Sequence, residues 1–340
     1  MSLVTVTLEE RMIRSKSPLT TVVLALAVVM PASGWAQTPG RSQAAAVKVT
    51  VLSTMLVGAS GPGGIGEWGF AAVLEADGRR ILIDTGARAE TVLKNVAELK
   101  VDLSDITDVV LTHNHGDHTG GLLALRREFM KKNPRALSRV HVPQGIFLSR
   151  RTPGGVETNG LTPIKAAYEG LGGQFVEHAA PFALAPGVWL LGPVPRVNPE
   201  RNFGGGGILQ TPKGPVEDNV PEDTAVVVHT SNGLVVISGC GHAGIINTME
   251  YARKTVADVP IEAAIGGFHL YGASDEVLEW TGGRLKALGV RNLLGAHCTG
   301  IEAVFRLRQL IGLARRTAVV AAVGSSFTLG TGIESPPLAR

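Results

Sequence analysis

The chain has 340 residues, 44% of them hydrophobic, which is enough for one large domain or two small ones. Its 32 basic and 29 acidic side chains give a formal net charge of +3, which provides no case for nucleic-acid or membrane-surface binding. We therefore expect a globular protein whose partner is a small-molecule substrate.

The first 36 residues have the pattern of a cleavable signal peptide. Arg14 and Lys16 precede the apolar stretch 19–30, which is too short to span a bilayer comfortably. Small and helix-breaking residues follow, with Gly34 and Ala36 at positions that a signal peptidase reads. We predict cleavage after Ala36, a periplasmic or secreted location and no stable membrane insertion of the mature chain. The alternative is an uncleaved anchor helix.

Short β-branched runs alternate with segments of helical spacing through the rest of the chain. The predicted strands cover residues 47–52, 70–75, 81–83, 109–111, 140–142, 175–177, 188–191, 225–229, 234–238, 263–265, 292–295 and 318–320. The predicted helices cover residues 88–99, 121–131, 245–256, 274–288 and 301–315. This order fits two sheets packed face to face with helices outside.

No linker divides this arrangement, so a single folded domain is predicted. It covers residues 47–325, after a linker at 37–46 and before a C-terminal tail at 326–340. Residues 193–222 are rich in proline and glycine and form the longest stretch predicted to be irregular. A loop of that length in a compact domain is usually functional or disordered.

The most informative segment, residues 112–121, reads Thr-His-Asn-His-Gly-Asp-His-Thr-Gly-Gly and directly follows a predicted strand. It places His113, His115, Asp117 and His118 within six residues. Imidazole and carboxylate groups suit zinc, iron or manganese. Four ligands so close in sequence wrap around one ion with difficulty, but they can give two ligands to each of two adjacent ions. A polar loop that happens to be rich in histidine is the alternative, and this spacing argues against it.

This His-x-His-x-Asp-His motif resembles that of the metallo-β-lactamase superfamily. Three later segments are similar to one branch, the dihydropterin-methyl-ribofuranosylaminobenzene phosphate synthases. They are Ser-Gly-Cys-Gly-His-Ala-Gly-Ile-Ile-Asn at 238–247, Ile-Gly-Gly-Phe-His-Leu at 265–270 and Ala-His-Cys-Thr-Gly at 296–300. The resemblance runs from about residue 48 to about residue 324. It implies an α/β fold, an αββα sandwich of two mixed β-sheets flanked by helices, although one fold hosts many reactions.

The resemblance also implies which later residues complete the metal centre. The superfamily normally supplies a histidine from a Pro-Gly-His-Thr-like segment, whereas the corresponding residues 192–196 contain none. His242 is expected to substitute, and His297, after the strand at 292–295, is expected to be the last ligand. We expect two divalent ions, with zinc favoured over iron or manganese. One ion would bind His113, His115 and His242, and the other Asp117, His118 and His297.

Cys240 and Cys298 are the only cysteines in the sequence, and both lie beside motif histidines. An oxidising compartment would allow them to pair, but their positions favour a location near the metal centre. Cys240 falls near the place where other members of the superfamily have a bridging aspartate, and a thiolate there would favour zinc. We place Cys240 beside the ligands and leave direct coordination open. Asp84 is expected to accept a hydrogen bond from a metal-bound histidine, the alternative being a turn residue.

The sequence gives fewer indications of the residues that contact the substrate. His269 is expected to orient substrate or act as general acid, with a core hydrogen bond as the alternative. Arg196 and Arg201, in the irregular stretch, are candidates for contact with an anionic substrate, although loop arginines are more often solvated. Glu67 and Trp68 are candidates for lining the cleft. Three histidines without motif context are expected to be structural or on the surface: His141, His178 and His229.

These observations favour an exported, binuclear metal-dependent hydrolase that uses an activated water on an ester, lactone, amide or phosphoester. Asp117 and His269 are the residues predicted to act in catalysis. A pterin-type condensing transferase is one alternative, but its phosphorylated, intracellular substrate fits poorly with a signal peptide. A non-catalytic metal-binding protein on the same fold is another, and the complete ligand set argues against it. A flavodiiron oxidoreductase is disfavoured, because that class usually has glutamate in place of His115.

Overall fold

Strands and helices follow each other as the sequence predicts in the computed structural model, which describes residues 42–58, 64–200 and 205–338. The strands are β1 (Val47–Ser53), β2 (Ala71–Ala76), β3 (Arg79–Ile83), β4 (Asp108–Val110), β5 (Arg139–Pro143), β6 (Arg150–Arg151), β7 (Gln174–His178), β8 (Phe182–Ala185), β9 (Val188–Leu190), β10 (Gly207–Thr211), β11 (Gly214–Asp218), β12 (Ala225–Thr230), β13 (Gly233–Ser238), β14 (Ile261–Gly266), β15 (Asn292–Gly295), β16 (Ala318–Val320), β17 (Ser326–Thr328) and β18 (Gly332–Glu334). The helices are α1 (Thr91–Glu98), α2 (Gly116–Thr119), α3 (Leu122–Phe129), α4 (Leu161–Gly170), α5 (Ile245–Thr255), α6 (Asp275–Ala287) and α7 (Ile301–Ile311).

Two mixed sheets form the centre of the molecule. The first has eight strands in the order β18-β17-β1-β2-β3-β4-β5-β7, and the second has seven in the order β16-β15-β14-β13-β12-β9-β8. Because side chains alternate across a strand, each sheet presents one apolar face to the other. Val51 and Ile83 of the first sheet share a buried cluster with Val228 and Ile237 of the second. Burial of this apolar interface stabilises the fold.

Helices cover the outer face of each sheet. Val92 of α1 and Leu125 of α3 are in the buried cluster that includes Leu82 of β3. Ile246 of α5 and Leu307 of α7 belong to a separate cluster on the second sheet. The predicted αββα sandwich is therefore confirmed. None of the helices within the described ranges is long and apolar enough to cross a membrane.

The structure contains elements that the sequence-based prediction lacks, among them α4, β6 and β8. Two further differences concern regions that were predicted to be irregular. The stretch 193–222, predicted as irregular, contains the β10–β11 hairpin, which joins β6 in a separate three-stranded sheet. The residues assigned to a C-terminal tail include β17 and β18, and β17 pairs with β1, so the folded domain extends past residue 325. The predicted signal peptide lies outside the described residues.

The topology brings several strand ends to one edge of the sandwich. β3 and β4 are parallel, with Ile83 level with Val110. In the second sheet β13, β14 and β15 are parallel, and Ser238, Gly266 and Gly295 are level with one another. The carboxyl ends of these five strands lie at this edge. The residues that follow the strands are therefore close to one another.

Candidate metal centre

Among the described residues, five groups of three potential ligands lie close together, and two of these groups contain no cysteine. Within each group, three ligand atoms lie within 4.8 Å of one another. The first metal position comprises His113, His115 and His242, and the second comprises Asp117, His118 and His297. These are the two sets that the sequence predicted. The positions are adjacent, since the rings of His113 and His118 have centroids 4.2 Å apart.

The chemistry of His113 fits a metal ligand. Its side chain is completely buried, and Thr112 Oγ1 lies 3.1 Å from Nδ1. Its Nε2 is buried without a hydrogen-bond partner among the described residues. Burial, with the neighbouring rings of His118 and His115, holds the pKa of His113 well below its usual range. A neutral ring with a buried, unsatisfied nitrogen is costly unless a cation binds it.

The second position contains an anionic ligand. Asp117 Oδ2 lies 3.3 Å from Nε2 of His297. Burial favours the neutral acid, but contacts with His297 and His118 lower the pKa of Asp117 below its usual range. Burial also opposes the charged form of His297, whereas its contacts with Asp117 and Cys298 raise the pKa of His297 to about 9. Asp117 is therefore ionised, as coordination of a divalent cation requires.

Asp84 supports the second position through hydrogen bonds. It is fully buried and accepts hydrogen bonds from the backbone N and Oγ1 of Thr112, each at 2.8 Å, and from Nδ1 of His118 at 2.8 Å. The last bond orients His118, so that its Nε2 lies 3.3 Å from Nε2 of His297. The Asp84 and Thr112 side chains leave no room above Gly239, where a Cβ would lie 2.3 Å and 2.1 Å from them respectively.

The two cysteines lie at the metal centre as free thiols. Their Sγ atoms are 2.9 Å apart, and Cys240 Sγ is 3.4 Å from Nδ1 of His269. This placement agrees with the expectation that the cysteines lie near the metal site rather than in a structural disulfide. Burial and the contact with Cys298 raise the pKa of the Cys240 thiol well above its usual value.

Three site residues adopt left-handed backbone conformations. The φ angles are 54° at Asp84, 49° at His269 and 44° at His297. Such angles are uncommon outside glycine, and they concentrate where function fixes a side chain. Asp84 follows β3 of the first sheet, whereas His269 and His297 come after β14 and β15 of the second.

Two aromatic side chains form the mouth of the second position. Trp68 is 46% exposed, and its ring lies 4.9 Å from that of His297. Tyr271 is 58% exposed and packs edge-on against Trp68 at 5.2 Å and against His269 at 5.4 Å. The sequence indicated Trp68 and His269, but it did not indicate Tyr271. The proximity of Tyr271 to the His-Leu pair at 269–270 was the available signal.

Other residues predicted for the substrate side have structural partners. Arg196 donates through Nη2 to the backbone carbonyls of Val220 at 3.2 Å and His242 at 3.1 Å, which ties its loop to the first position. Glu67 does not line the cleft, because it is buried and accepts from Ser53 Oγ at 2.7 Å. Arg201 lies outside the described residues.

A cavity of about 220 Å³ adjoins the first position, and sequence reasoning did not find it. His115 and Arg151 line it. So does Arg150, which is buried and forms ion pairs with Asp218 at 3.1 Å and with Glu222. The buried Arg150 side chain, held between two carboxylates, forms one wall of the cavity. Arg151 is the second arginine that lines the cavity. The signal in the sequence was the Arg150-Arg151 pair.

Comparison with known proteins places this geometry in context. The model of the metallo-β-lactamase superfamily matches residues 69–253. The 7,8-dihydropterin-6-methyl-4-(β-D-ribofuranosyl)-aminobenzene-5'-phosphate synthase of Methanocaldococcus jannaschii is 34% identical over 243 residues, which cover 69% of this chain and 81% of that protein. MJ0448, an uncharacterised protein of the same archaeon, is 28% identical over 244 residues, or 72% of this chain and 88% of that protein. The crystal structure of Tm1679, a metal-dependent hydrolase of the β-lactamase superfamily, is similar at 26% identity with a TM-score of 0.66, covering 82% of this chain and 98% of that one.

Proposed function

The chain belongs to the metallo-β-lactamase superfamily, as the sequence motifs indicated, and we propose that it is an exported binuclear metal-dependent hydrolase. Its substrate would be an ester, lactone, amide or phosphoester. The observation that carries this proposal is the pair of adjacent three-ligand groups at one edge of the sandwich. The similar structure of Tm1679, which is described as a metal-dependent hydrolase, supports it.

Divalent metal ions bound at the two positions would supply Lewis acidity and an activated water at neutral pH. The residues of the chain hold and surround the reacting groups. Asp84 fixes the ring of His118 through a 2.8 Å hydrogen bond, and the ionised Asp117 contributes negative charge. His269 is half-buried beside Tyr271 at the mouth, where it can give a proton to a departing group. Trp68 offers an exposed indole face on which the rest of the substrate can pack.

A pterin-type condensing transferase is the second candidate. The 34% identity over 81% of the archaeal synthase favours it. The cavity beside the first position also favours it, because Arg151 is a cation that suits the phosphate named in that enzyme's product. The predicted signal peptide argues in the other direction, because such a substrate would be intracellular.

A substrate panel separates the two candidates. Protein loaded with zinc or manganese is assayed with ester, lactone, phosphomonoester and phosphodiester substrates, and separately for condensation of a dihydropterin with a phosphorylated aminobenzene riboside. The proposal expects turnover of at least one hydrolytic substrate, loss of that turnover in Asp117→Ala, and retention in the surface variant Lys132→Ala. Condensation without hydrolysis would establish the second candidate instead.

The N-terminal sequence of the mature protein tests the location. The charged residues, apolar stretch and small-residue boundary predict that mass spectrometry of the exported protein finds a mature chain beginning at Gln37. Full-length protein retained in the cytoplasm would contradict export and strengthen the transferase candidate.

A further inference from the structure

The peptide bond between His242 and Ala243 is held at both of its polar groups by side chains from other segments. Nη2 of Arg196 donates to the carbonyl oxygen of His242 at 3.1 Å. The backbone N of Ala243 donates to Oδ2 of Asp223 at 2.8 Å. Because the peptide group is planar, these two hydrogen bonds fix the orientation of the main chain directly after the α-carbon of His242.

The two side chains that hold this peptide are connected to each other through a neighbouring turn. Nη2 of Arg196 also donates to the carbonyl oxygen of Val220 at 3.2 Å, and that oxygen accepts from the backbone N of Asp223 at 3.2 Å. The backbone N of Val194 donates to the carbonyl oxygen of Asp223 at 3.0 Å. Asp223 is 1% exposed, so its hydrogen bonds form away from solvent, where they are stronger than in water. Arg196 and Asp223 therefore have fixed positions relative to each other.

The segment that carries Arg196 is also anchored on α5, the helix that follows His242. The backbone N of Ile246 donates to Oε1 of Glu200 at 3.1 Å, and the backbone N of Asn247 donates to Oε2 at 2.8 Å. Gly244 makes room for this carboxyl group, because a Cβ there would lie 2.2 Å from Oε2 of Glu200. A carboxyl group that accepts from the first N–H groups of a helix stabilises the helix start. The start of α5 and the Arg196 segment are therefore held together.

The backbone around His242 needs such support. Gly241 has a φ angle of 66° and Gly244 one of 98°, so a glycine in a left-handed conformation lies on each side of His242. Glycine restricts the backbone less than any other residue, and the turn alone leaves the direction of the imidazole weakly determined. At the second metal position the support acts on a ligand ring, since Asp84 accepts from Nδ1 of His118. Here the support acts on the main chain.

We propose that Arg196 and Asp223 are positioning residues for His242, and that they place its imidazole at the first metal position by holding the peptide bond that follows it. This inference rests on the proposed metal-dependent function. It gives Arg196 a different role from the substrate contact that the sequence indicated. Without either side chain, the imidazole of His242 would be less well placed, and the first position would bind metal more weakly than the second.

Proteins with a single metal position test each position separately. Asp117→Ala keeps the first group of three ligands, and His113→Ala keeps the second. In the Asp117→Ala protein, Arg196→Gln should weaken zinc binding by roughly 10- to 100-fold, the loss typical when an outer hydrogen-bond partner of a ligand is removed. In the His113→Ala protein, Arg196→Gln should leave zinc affinity unchanged. Competition with a chelator measures both affinities in the full chain.

Arg253→Gln is the matched control in both proteins. Arg253 lies in the last turn of α5 and pairs with Asp258, which is 79% exposed. This change should alter the zinc affinity of neither position. Equal weakening of both positions by Arg196→Gln would indicate a general loosening of the site, and an unchanged first position would exclude a role for Arg196. Either result overturns the proposal.

A pair of changes at Asp223 isolates the hydrogen bond to the peptide. Asp223→Asn keeps an oxygen that can accept from the backbone N of Ala243, whereas Asp223→Ala removes the acceptor. In the Asp117→Ala protein, Asp223→Ala should weaken zinc binding as Arg196→Gln does, and Asp223→Asn should retain most of the affinity. Equal weakening by the two changes would exclude this hydrogen bond as the cause and contradict the proposed role of Asp223. If Asp223→Ala does not fold, the effect of Arg196→Gln in the two single-position proteins decides the question.

These zinc affinities do not depend on turnover, so the inference and the proposed function can fail separately. A loss confined to the first position in Arg196→Gln, without turnover of any hydrolytic substrate by the wild type, would support the inference and contradict the hydrolase proposal. Turnover by the wild type with unchanged zinc affinity in Arg196→Gln would leave the hydrolase proposal standing and overturn the inference. Absence of zinc from the wild type at saturation would overturn both.

Discussion

Nδ1 of His118 donates a 2.8 Å hydrogen bond to the buried carboxylate of Asp84. This bond leaves Nε2 of His118 directed at His297, the other imidazole of the second metal position. A carboxylate behind a ligand histidine fixes the tautomer and the ring orientation and raises the basicity of the ligand. Asp84 therefore connects the end of β3 to the metal centre without contacting the ions.

Removal of this acceptor should weaken metal binding selectively. Asp84→Asn keeps the shape of the side chain but cannot offer a carboxylate to His118. We expect the affinity of the second position to fall by about 10- to 100-fold, measured by competition with a chelator. Asp258→Asn provides a matched control, because Asp258 is 79% exposed and pairs only with Arg253 among its described ion pairs. Equal affinities in wild type and Asp84→Asn would exclude this supporting role.

The later histidines should separate into a ligand and a substrate-side residue. His242→Ala removes an imidazole from the first position, so metal and activity should be lost together. His269→Ala should retain the metal and lower turnover, because His269 lies at the mouth beside Tyr271. Elemental analysis and kinetic assays of the same preparations check both outcomes. Loss of metal from His269→Ala would show that His269 is a metal ligand rather than a residue at the mouth of the site.

The indole of Trp68 should contribute to substrate binding. The side chain is 46% exposed and packs against the rings of His297 and Tyr271. Trp68→Ala should raise KM by roughly 2- to 12-fold, which corresponds to about 0.5–1.5 kcal/mol for an aromatic contact, with little change in metal content. Trp68→Phe should recover most of the effect. An unchanged KM in Trp68→Ala would place the substrate elsewhere.

His178 should make the stability of the protein depend on pH. Its Nε2 lies 2.9 Å from Nδ1 of His141, which in turn contacts Asp108 at 3.0 Å. Burial and the neighbouring His141 lower the pKa of His178 from 6.5 to about 4. Because the folded-state pKa is depressed, the neutral ring contributes stability that is fully present above pH 6.5 and declines as the pH falls toward 4.

The comparison of wild type with His178→Gln isolates this contribution. The metal centre affects both proteins, so the difference between their free energies of unfolding reports His178. We expect urea denaturation of the metal-free proteins to show that this difference falls between pH 6.5 and pH 4. A constant difference across that range would show that His178 does not titrate as proposed.

Local sequence patterns predicted the potential metal ligands, because these residues come after strands whose positions the topology determines. His113 and His115 lie in the loop after β4, and Asp117 and His118 lie in the short helix α2 that follows it. His242 and His297 follow strands whose carboxyl ends meet at the same edge. Glu67 could not be assigned, because its role depends on burial against Ser53. Tyr271 was missed because an exposed tyrosine gives no periodic signal, and its position directly after the His-Leu pair at 269–270 was the one local indication. Its contact with Trp68 is formed by segments far apart in the chain.

The fold was predictable where hydrophobic periodicity dominates. β1 and β13 are buried β-branched runs, which tertiary packing reinforces. The β10–β11 hairpin was missed because glycine and proline flank it, and its strand β11 is mostly exposed. β18 has three residues and lies at the edge of its sheet, so its alternation is too short to distinguish it from a tail.

Metal content is the most direct test of the binuclear centre. Full-length mature protein is saturated with zinc, freed of excess metal and measured by elemental analysis against protein concentration. The two three-ligand groups predict about two zinc ions per chain in the wild type, and about one in each of His113→Ala and Asp117→Ala. One ion or none in the wild type at saturation would contradict the binuclear centre on which the proposed function rests.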